Sequence, residues 1–400
     1  MIVVGAGPAG AALSYLLARR GLRVTLLERH TDFSREFRGE ALLPGGLEVL
    51  EQMGLWEAFE DVPHVSLEGV ELYLAGHRRT TVSFGPATFG KLSPRWTSQP
   101  ALLEMLCAQA AHYPGYHLER GATARGLVHE GGRCVGVRVL TEAGERELRG
   151  DLVVGADGRS SMVRKRSGLV AELDPTPMDV VWCKLPLPEA ASARTLRAYL
   201  GRGHLLIAVP VYDGRLQVAW IIPKGSFAEV RDRGMPACLE EMARHVSPDL
   251  AEHLRRHRNH AVEPFLLFTV SDRVREWTRP GLLLLGDAAH TMSPVGGQGI
   301  NIALRDAVVA ANHLVPVLEA KGSADAIDAA SRRVQEERVP EVARIQALQA
   351  RAPRVIFNDA WWAQTALRLL VPLAGPASRI GGSRVLGSIA FGVTRVELQV

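Results

Sequence analysis

The 400-residue sequence has few cysteines and no long uninterrupted apolar run. Its cysteines share no CxxC spacing and no nearby set of histidines; they are Cys107, Cys134, Cys183 and Cys238. This pattern argues against a disulfide framework and against a zinc site, so we expect a reduced, cytoplasmic protein without a bound metal. The most apolar late stretch, residues 355–374, is interrupted by polar residues, and we predict neither a transmembrane helix nor a signal peptide.

Lysine is also scarce, so arginine carries almost all of the positive charge. The formal net charge is +4 and the isoelectric point is about 9.0. Basic residues are scattered and alternate with acidic ones, as in Arg273, Arg275 and Glu276. This pattern is typical of a solvated surface, and we do not expect nucleic-acid binding.

The first thirty residues have the pattern strand, tight turn, helix, strand, which predicts a βαβ unit that opens a parallel sheet. The turn contains Gly5, Gly7 and Gly10 in the arrangement GxGxxG. Gly5 permits the tight turn, Gly7 lets the backbone approach a pyrophosphate, and Gly10 lets helix and sheet pack closely. Glu28 ends the second strand, where a carboxylate can accept hydrogen bonds from an adenosine ribose. These features predict a dinucleotide site.

Two later segments follow buried strands in the same way. The first is GADGRSSMVR at 155–164, and the second is GDAAH at 286–290, which continues through PVGGQGIN at 294–301 into a helix. An aspartate at a strand end is a natural acceptor for a polyol hydroxyl. The glycine run lets the backbone pass against a flat ring, and the helix that begins near Ile300 directs its positive dipole end toward that ring.

Together the three motifs resemble the para-hydroxybenzoate-hydroxylase-like (class A) FAD-dependent aromatic monooxygenases over nearly the whole chain, to about residue 345. The resemblance implies FAD as cofactor and places Asp157 near its pyrophosphate and Asp287 on its ribityl hydroxyls. It also implies that Arg38 lies close to flavin and nicotinamide, and that Gln99 contacts the flavin. A second GxGxxG is absent. We therefore expect NAD(P)H to bind only transiently as co-substrate.

The predicted cofactor-binding residues are Gly5, Gly7, Ala9, Gly10, Glu28, Arg29, Arg38, Gln99, Asp157, Asp287, Pro294, Gly297, Gly299, Ile300 and Asn301. Arg38 and Pro294 are the candidates for a catalytic role, and the catalytic base stays open among His64, His204 and Tyr212. Aromatic candidates for the wall of a substrate site are Trp182, Tyr199, Trp220 and Phe268.

The predicted fold is α/β: an FAD-binding Rossmann-like (GR2-type) domain with an inserted β-sheet substrate domain and a helical C-terminal region. We assign residues 1–65, 98–172 and 276–350 to the FAD-binding domain. Residues 66–97 and 173–275 form the β-rich domain, and residues 351–400 form the C-terminal region.

The expected activity is NAD(P)H-dependent hydroxylation or epoxidation of an aromatic or quinone/quinolone-like small molecule by O2, through a flavin C4a-hydroperoxide. Three alternatives stay open: a flavin-dependent halogenase, a flavin reductase of a prenylated lipid, and a non-catalytic redox sensor. Residues 218–223, VAWIIP, match the halogenase motif WxWxIP except at Val218. The C-terminal region predicts either a packed helix or peripheral membrane contact, and the sequence leaves the oligomeric state open.

Overall fold

The computed structural model describes residues 1–34, 40–74, 76–84, 89–174, 176–188, 194–201, 204–259, 264–356, 358, 360–373, 387 and 390–400. The strands are β1 (Ile2–Val4), β2 (Val24–Glu28), β3 (Ala41–Leu42), β4 (His64–Ser66), β5 (Gly69–Leu74), β6 (His77–Ser83), β7 (Arg95–Thr97), β8 (Tyr116–Arg120), β9 (Thr123–Glu130), β10 (Arg133–Thr141), β11 (Gly144–Arg149), β12 (Val153–Gly155), β13 (Ala171–Asp174), β14 (Met178–Pro186), β15 (Thr195–Gly201), β16 (His204–Pro210), β17 (Arg215–Pro223), β18 (Phe265–Leu267), β19 (Ser271–Val274), β20 (Thr278–Arg279), β21 (Leu282–Leu284) and β22 (His290–Thr291). The α-helices are α1 (Pro8–Arg19), α2 (Pro44–Gln52), α3 (Trp56–Glu60), α4 (Gln99–Ala110), α5 (Met162–Arg166), α6 (Phe227–Arg233), α7 (Met235–Ala243), α8 (Pro248–Arg256), α9 (Gly299–Glu319), α10 (Ala324–Ile356) and α11 (Trp361–Leu370).

The N-terminal βαβ unit is the centre of a six-stranded sheet of order β20-β21-β12-β1-β2-β8. Five of these strands are parallel, and β20 joins antiparallel at the edge. Their short apolar runs are fully buried because helices cover the sheet, which is the usual pattern of a parallel sheet. Helix α1 packs against α4 and against the long α9. Strands β9, β10 and β11 form a separate antiparallel meander.

A second, seven-stranded sheet has the order β18-β14-β17-β16-β15-β5-β6. All of its neighbouring pairs are antiparallel except β5 with β15. Side chains alternate between its two faces. One face packs under α6, α7 and α8 with Val181, Val218 and Leu239 in the core between them. The other face presents Val180, Ala219 and their neighbours to the large cavity of the protein.

The described residues after 299 are largely helical, as predicted, with α9 and α10 packed together. All four cysteines are buried and free. Burial raises the pKa of Cys107 to about 11, which makes this thiol a poor nucleophile at neutral pH. The structure is thus an α/β fold with an FAD-type sheet, a second sheet and a helical C-terminal region; the residue bounds of the three domains remain a prediction.

Candidate active site

The three sequence motifs meet at one edge of the parallel sheet. Strands β21, β12 and β1 lie side by side with Leu284, Gly155 and Val4 in register, so the turns that follow them are adjacent. Carboxyl ends of parallel strands are where open α/β sheets bind ligands. A cavity of about 950 Å³ opens there and extends to the inner face of the seven-stranded sheet. Its lining includes Gly5, Gly7, Ala9, Glu28, Arg29, Gln99, Asp157, Asp287, Pro294, Gly297, Gly299 and Ile300.

The glycines of the first turn have separate structural roles. Gly5 has φ +100°, and a Cβ there would lie 2.5 Å from the carbonyl oxygen of Ala156. A Cβ on Gly10 would lie 2.0 Å from the carbonyl oxygen of Gly5, so this position holds helix against strand. Gly7 caps α1 without a side-chain hydrogen bond, and a Cβ there would meet nothing within 4 Å. The space over Gly7 and the uncapped helix N-terminus fit a pyrophosphate.

Glu28 is buried at the end of β2, with its carboxylate fixed by two backbone N–H groups. Ala6 donates to Oε2 over 3.1 Å, and His30 donates to Oε1 over 3.1 Å. Glu28 also lines the cavity beside the exposed Arg29, whose Nε donates to the ring of His30. The carboxylate is therefore held where a strand-end acid of a dinucleotide site accepts ribose hydroxyls.

Asp157 lines the cavity, but its carboxylate is engaged by its own turn. It accepts hydrogen bonds from the backbone N–H of Met162 (2.7 Å) and Val163 (3.1 Å) and from the hydroxyl of Ser161. Burial raises the pKa of Asp157, and these hydrogen bonds act in the opposite direction. Asp157 thus accepts the first N–H groups of α5 and fixes the turn between β12 and α5.

Arg164, which the sequence analysis did not single out, joins the second motif to the third. Its Nη1 donates to the carbonyl of Ala288 over 3.0 Å, and its Nη2 donates to the carbonyl of Arg159 over 2.6 Å. Arg159 in turn donates from Nε to Asp287, 3.3 Å away. Asp287 is only partly buried, so its carboxylate remains open toward the cavity for a polyol hydroxyl.

The glycine-rich turn after Pro294 leads into α9. Gly296 and Gly297 have φ of +75° and +63°, which favours glycine at both positions. A Cβ on Gly299 would meet nothing within 4 Å, so the first turn of α9 borders open space. Asn301 is buried and holds this turn against the β3–α2 segment. Its Oδ1 accepts from Leu43 N–H (2.8 Å), and its Nδ2 donates to the carbonyls of Ala41 (3.1 Å) and Gly297 (2.8 Å).

A buried ionic network lies behind the third motif. Asp306 accepts hydrogen bonds from the Gly286 N–H (3.1 Å), from His290 Nε2 (2.7 Å) and from Arg338 Nε (2.8 Å). Arg338 also pairs with Glu341, which pairs with Arg305 over 2.6 Å. Arg305 donates to the carbonyls of Phe391 and Thr394. The network therefore ties α9, α10 and the C-terminal segment to the GDAAH turn.

The half of the cavity under the second sheet is largely apolar. Its wall includes Val70, Phe84, Met178, Val180, Trp182, Leu196, Leu205, Ile207, Ala219, Ile221 and Leu267. Glu40, Arg95 and Gln217 are polar members of the cavity lining, and Glu40 and Gln217 are each less than 8% exposed. The Trp96 indole donates to Glu40 Oε2 over 2.8 Å, whereas Gln217 Oε1 has no hydrogen-bond partner.

Burial raises the pKa of Glu40, although the hydrogen bond from Trp96 and the charge of Lys184 partly offset this effect. A carboxyl with a raised pKa in an apolar cavity is a common feature of functional sites. Glu40 and Gln217 were not predicted from the sequence, because they come together only when β17 packs over the β3–β7 region. The one local signal is a charged residue, Glu40, directly before the apolar and glycine-rich segment at residues 41–46.

The other predicted residues divide into several groups. Arg38 lies outside the described residues. Trp182 lines the cavity, whereas Tyr199 and Trp220 face the helices on the opposite side of the sheet, and Phe268 is 56% exposed. The residues of the WxWxIP-like stretch are part of β17. None of the three candidates for a base is among the described residues that line the cavity: His64, His204 and Tyr212.

The residues present fit FAD. Open space over Gly7 and Gly299 admits a pyrophosphate at one helix N-terminus and a flat ring at another, and Glu28 and Asp287 are positioned for ribose and ribityl hydroxyls. One continuous cavity joins these groups to the apolar half. This arrangement fits a flavin-dependent oxidoreductase.

Comparison with known proteins makes the assignment specific. Residues 1–344 match the family described as FAD binding domain. The 6-methylpretetramide 4-monooxygenase of Streptomyces rimosus is 35% identical over 356 residues, which cover 87% of this chain and 83% of that protein. Rifampicin monooxygenase of Streptomyces venezuelae is 30% identical over 319 residues, or 77% of this chain and 62% of that protein. The chain belongs to this FAD-binding family and is an FAD-dependent monooxygenase.

Solved structures share the fold. The p-nitrophenol 4-monooxygenase of Pseudomonas putida superimposes with a TM-score of 0.81 at 19% identity, covering 99% of this chain and 98% of that one. PqsL of Pseudomonas aeruginosa, described as a probable FAD-dependent monooxygenase, gives 0.78 at 22% identity, covering 92% and 98%. In the described parts of the chain, no helix is both long and apolar enough to span a bilayer.

Proposed function

We propose that this protein is a single-component monooxygenase that uses NAD(P)H and O2 to hydroxylate or epoxidise an aromatic-type small molecule. The proposal rests on one continuous cavity that is lined both by the flavin-type turns and by the apolar face of the second sheet. When bound, FAD supplies hydride acceptance from NAD(P)H and activation of O2 at its C4a position. The absence of a second GxGxxG supports transient use of NAD(P)H.

The half of the cavity lined by the flavin-type turns contains the positive end of a helix dipole. Helix α9 begins at Gly299 with no side-chain cap, so its first N–H groups and its dipole face the cavity. A helix N-terminus stabilises negative charge by about 0.3–1 kcal/mol at exposed positions and by more where water is excluded. We propose that α9 stabilises the anionic, reduced state of the flavin. The clamp made by Asn301 holds α9 in position for this role.

The substrate half supplies shape and two polar contacts. Its apolar wall excludes water from the reacting carbon, which favours oxygen transfer over loss of hydrogen peroxide. Trp182 offers an aromatic surface next to the cavity. We propose that Glu40 and Gln217 hydrogen-bond a hydroxyl or carbonyl group of the substrate, because both line the cavity and the buried Gln217 Oε1 has no hydrogen-bond partner in the protein. A neutral Glu40 carboxyl would donate one hydrogen bond and accept another.

The test is a substrate panel with FAD-loaded protein, scored by NAD(P)H oxidation and by product mass. The first compound is 6-methylpretetramide, which appears in the name of the Streptomyces rimosus relative. The second is 2-aminobenzoylacetate, which is bound in a solved structure of PqsL. We expect substrate-stimulated oxidation of NAD(P)H and a product that has gained one oxygen atom. A product formed only with added halide would indicate the halogenase alternative. Reduction of a prenylated lipid without O2 would indicate the reductase, and flavin binding without turnover would indicate a redox sensor.

We also propose a peripheral membrane contact through α11, which is the second of the two predicted arrangements of the C-terminal region. Trp362, Leu369, Leu370 and Leu373 are each more than half exposed on α11 and the turn after it. Flotation with anionic vesicles tests the contact. Co-migration is expected, and its absence would leave the packed-helix alternative. The use of NAD(P)H supports a cytoplasmic location for the proposed reaction.

A further inference from the structure

Two histidines and a glutamate form a cluster outside the cavity, on the helix-covered side of the second sheet. His204 begins β16, Glu241 lies near the end of α7, and His245 follows one turn later. One donor atom from each side chain lies within 4.8 Å of the other two. His245 Nε2 is 3.2 Å from Glu241 Oε1, and the rings of His204 and His245 are stacked with centroids 3.8 Å apart. An imidazole nitrogen binds a metal in the plane of its ring, so one of the two stacked rings has to turn about its Cβ–Cγ bond before both can bind the same ion.

The fold explains how these residues meet. Side chains of β16 alternate, so His204 lies on the same face as Leu206, which packs in the core under the helices. Leu205, the intervening residue, lines the cavity. Glu241 and His245 are four residues apart, a spacing that places both side chains on one side of the chain at the end of a helix. The three side chains are partly buried, so a small ion can reach them from solvent.

The donor set of the cluster determines which ion it can hold. Arg244 Nη1 binds Glu241 Oε2 over 3.0 Å, which leaves Oε1 directed at His245. Two imidazoles and one carboxylate suit zinc and are a poor set for magnesium or calcium, which prefer oxygen ligands.

We propose that His204, Glu241 and His245 bind one Zn²⁺ ion, with water completing a tetrahedral site. The ion would join the start of β16 to the end of α7. Because Leu205 is adjacent to His204 and lines the cavity, the ion would also fix that part of the substrate wall. The sequence predicts no metal because its cysteines lack metal-binding spacing. His204 is 37 positions before Glu241, so only the folded chain brings the proposed ligands together.

The experiment uses tag-free, FAD-loaded protein treated with chelator and then titrated with Zn²⁺. We expect one equivalent of zinc to bind and to remain after gel filtration, and a rise in the thermal midpoint. Glu241→Gln and His245→Ala, tested separately, should each weaken zinc binding at least tenfold. His117→Ala is the matched control: His117 pairs with Glu119 over 3.1 Å without a third donor, and its loss should leave the zinc affinity unchanged.

Retention of FAD and an unchanged far-UV circular dichroism spectrum show that a variant is folded. If a variant does not fold, Co²⁺ is added to the metal-free wild-type protein instead. A tetrahedral site of nitrogen and oxygen ligands then gives visible ligand-field absorption, which tests the proposed coordination directly. The proposed site is supported if the wild-type protein and the control each bind one equivalent of zinc and the cluster variants do not. The proposal is overturned by wild-type protein that binds no zinc, by variants that bind it equally well, or by absent cobalt absorption.

Discussion

Replacing Arg338 by methionine removes the centre of the buried network behind the GDAAH turn. Arg338 is fully buried and pairs with both Asp306 and Glu341, which are also fully buried. After the change, Glu341 keeps Arg305 and Asp306 keeps His290 and the Gly286 N–H, but each carboxylate loses the arginine that joins them. Removal of one partner from a buried pair typically lowers the free energy of unfolding by about 3–5 kcal/mol, because a buried charge loses its compensation. At roughly 2–4 °C per kcal/mol for a large domain, the melting temperature should fall on the order of 10 °C.

The pH dependence follows from the two carboxyl groups. Burial by itself raises the pKa of Asp306 and of Glu341, but the charges of His290, Arg338 and Arg305 outweigh burial and lower both pKa values below the ordinary 3.8 and 4.5. A lowered pKa contributes stability above the unfolded pKa, and this stability is lost as pH falls through the folded pKa. The difference between wild type and Arg338→Met should therefore be largest near neutral pH and should shrink below about pH 4.

The assay is urea and thermal unfolding of apo and FAD-loaded protein across pH, with Arg333→Met as control. Arg333 is an exposed residue of the same helix, so its replacement should change the free energy of unfolding by less than about 0.5 kcal/mol. Arg338→Met should also weaken FAD binding, because Asp306 fixes the Gly286 N–H beside Asp287. Equal stability of the two variants at neutral pH would refute the role of the network.

Three further predictions address the cavity. Gly7→Ala should leave the stability of the apo-protein unchanged but weaken FAD binding by about tenfold or more. Gly10→Ala, whose Cβ would lie 2.0 Å from a backbone oxygen, should lower both the stability and the FAD affinity. Equal FAD affinity of Gly7→Ala and wild type in fluorescence titration would exclude a pyrophosphate beside Gly7. Asn301→Ala should lower the free energy of unfolding by about 2–4 kcal/mol and weaken FAD binding, since three backbone partners lose their hydrogen bonds. A urea unfolding curve that matches wild type would contradict the role of Asn301 in holding α9 against the β3–α2 segment. Glu40→Gln should become progressively more stable than wild type as pH rises above 4.5. A carboxyl whose pKa is raised in the folded state loses its contribution to stability as pH rises through that pKa, and glutamine does not ionise. A difference in melting temperature between the two proteins that stays constant from pH 4 to 8 would show that ionisation of Glu40 does not destabilise the fold.

The flavin half of the site could be predicted from the sequence because its features are local. A GxGxxG turn, a strand-end acid and a glycine run each specify backbone geometry within a few residues, and parallel pairing then brings them together. The role of individual side chains was less accessible. Asp157 and Asn301 lie where the motifs indicate, yet their polar atoms hold backbone groups of the protein itself. A motif identifies a position, and only the surrounding contacts show what the side chain binds.

The substrate half could not be predicted in the same detail because it depends on contacts between distant segments. Glu40, Trp96 and Gln217 belong to separate strands and loops, and no spacing relates them. Trp220 and Trp182 lie on paired strands, but only Trp182 lines the cavity. Strands that are apolar on both faces show no alternation in sequence, so the side of the sheet that a residue occupies becomes known only in the folded chain.

The central claim is that one cavity holds the flavin and an organic substrate that receives an oxygen atom from O2. The most direct measurement is product mass after turnover under isotopically heavy O2, with NAD(P)H consumption recorded in the same reaction and wild-type protein stripped of FAD as the control. We expect one heavy oxygen atom in the product for each NAD(P)H oxidised, and no product from the control. Product oxygen that comes from water, a halogenated product, or equal product formation by the FAD-free protein would contradict this mechanism.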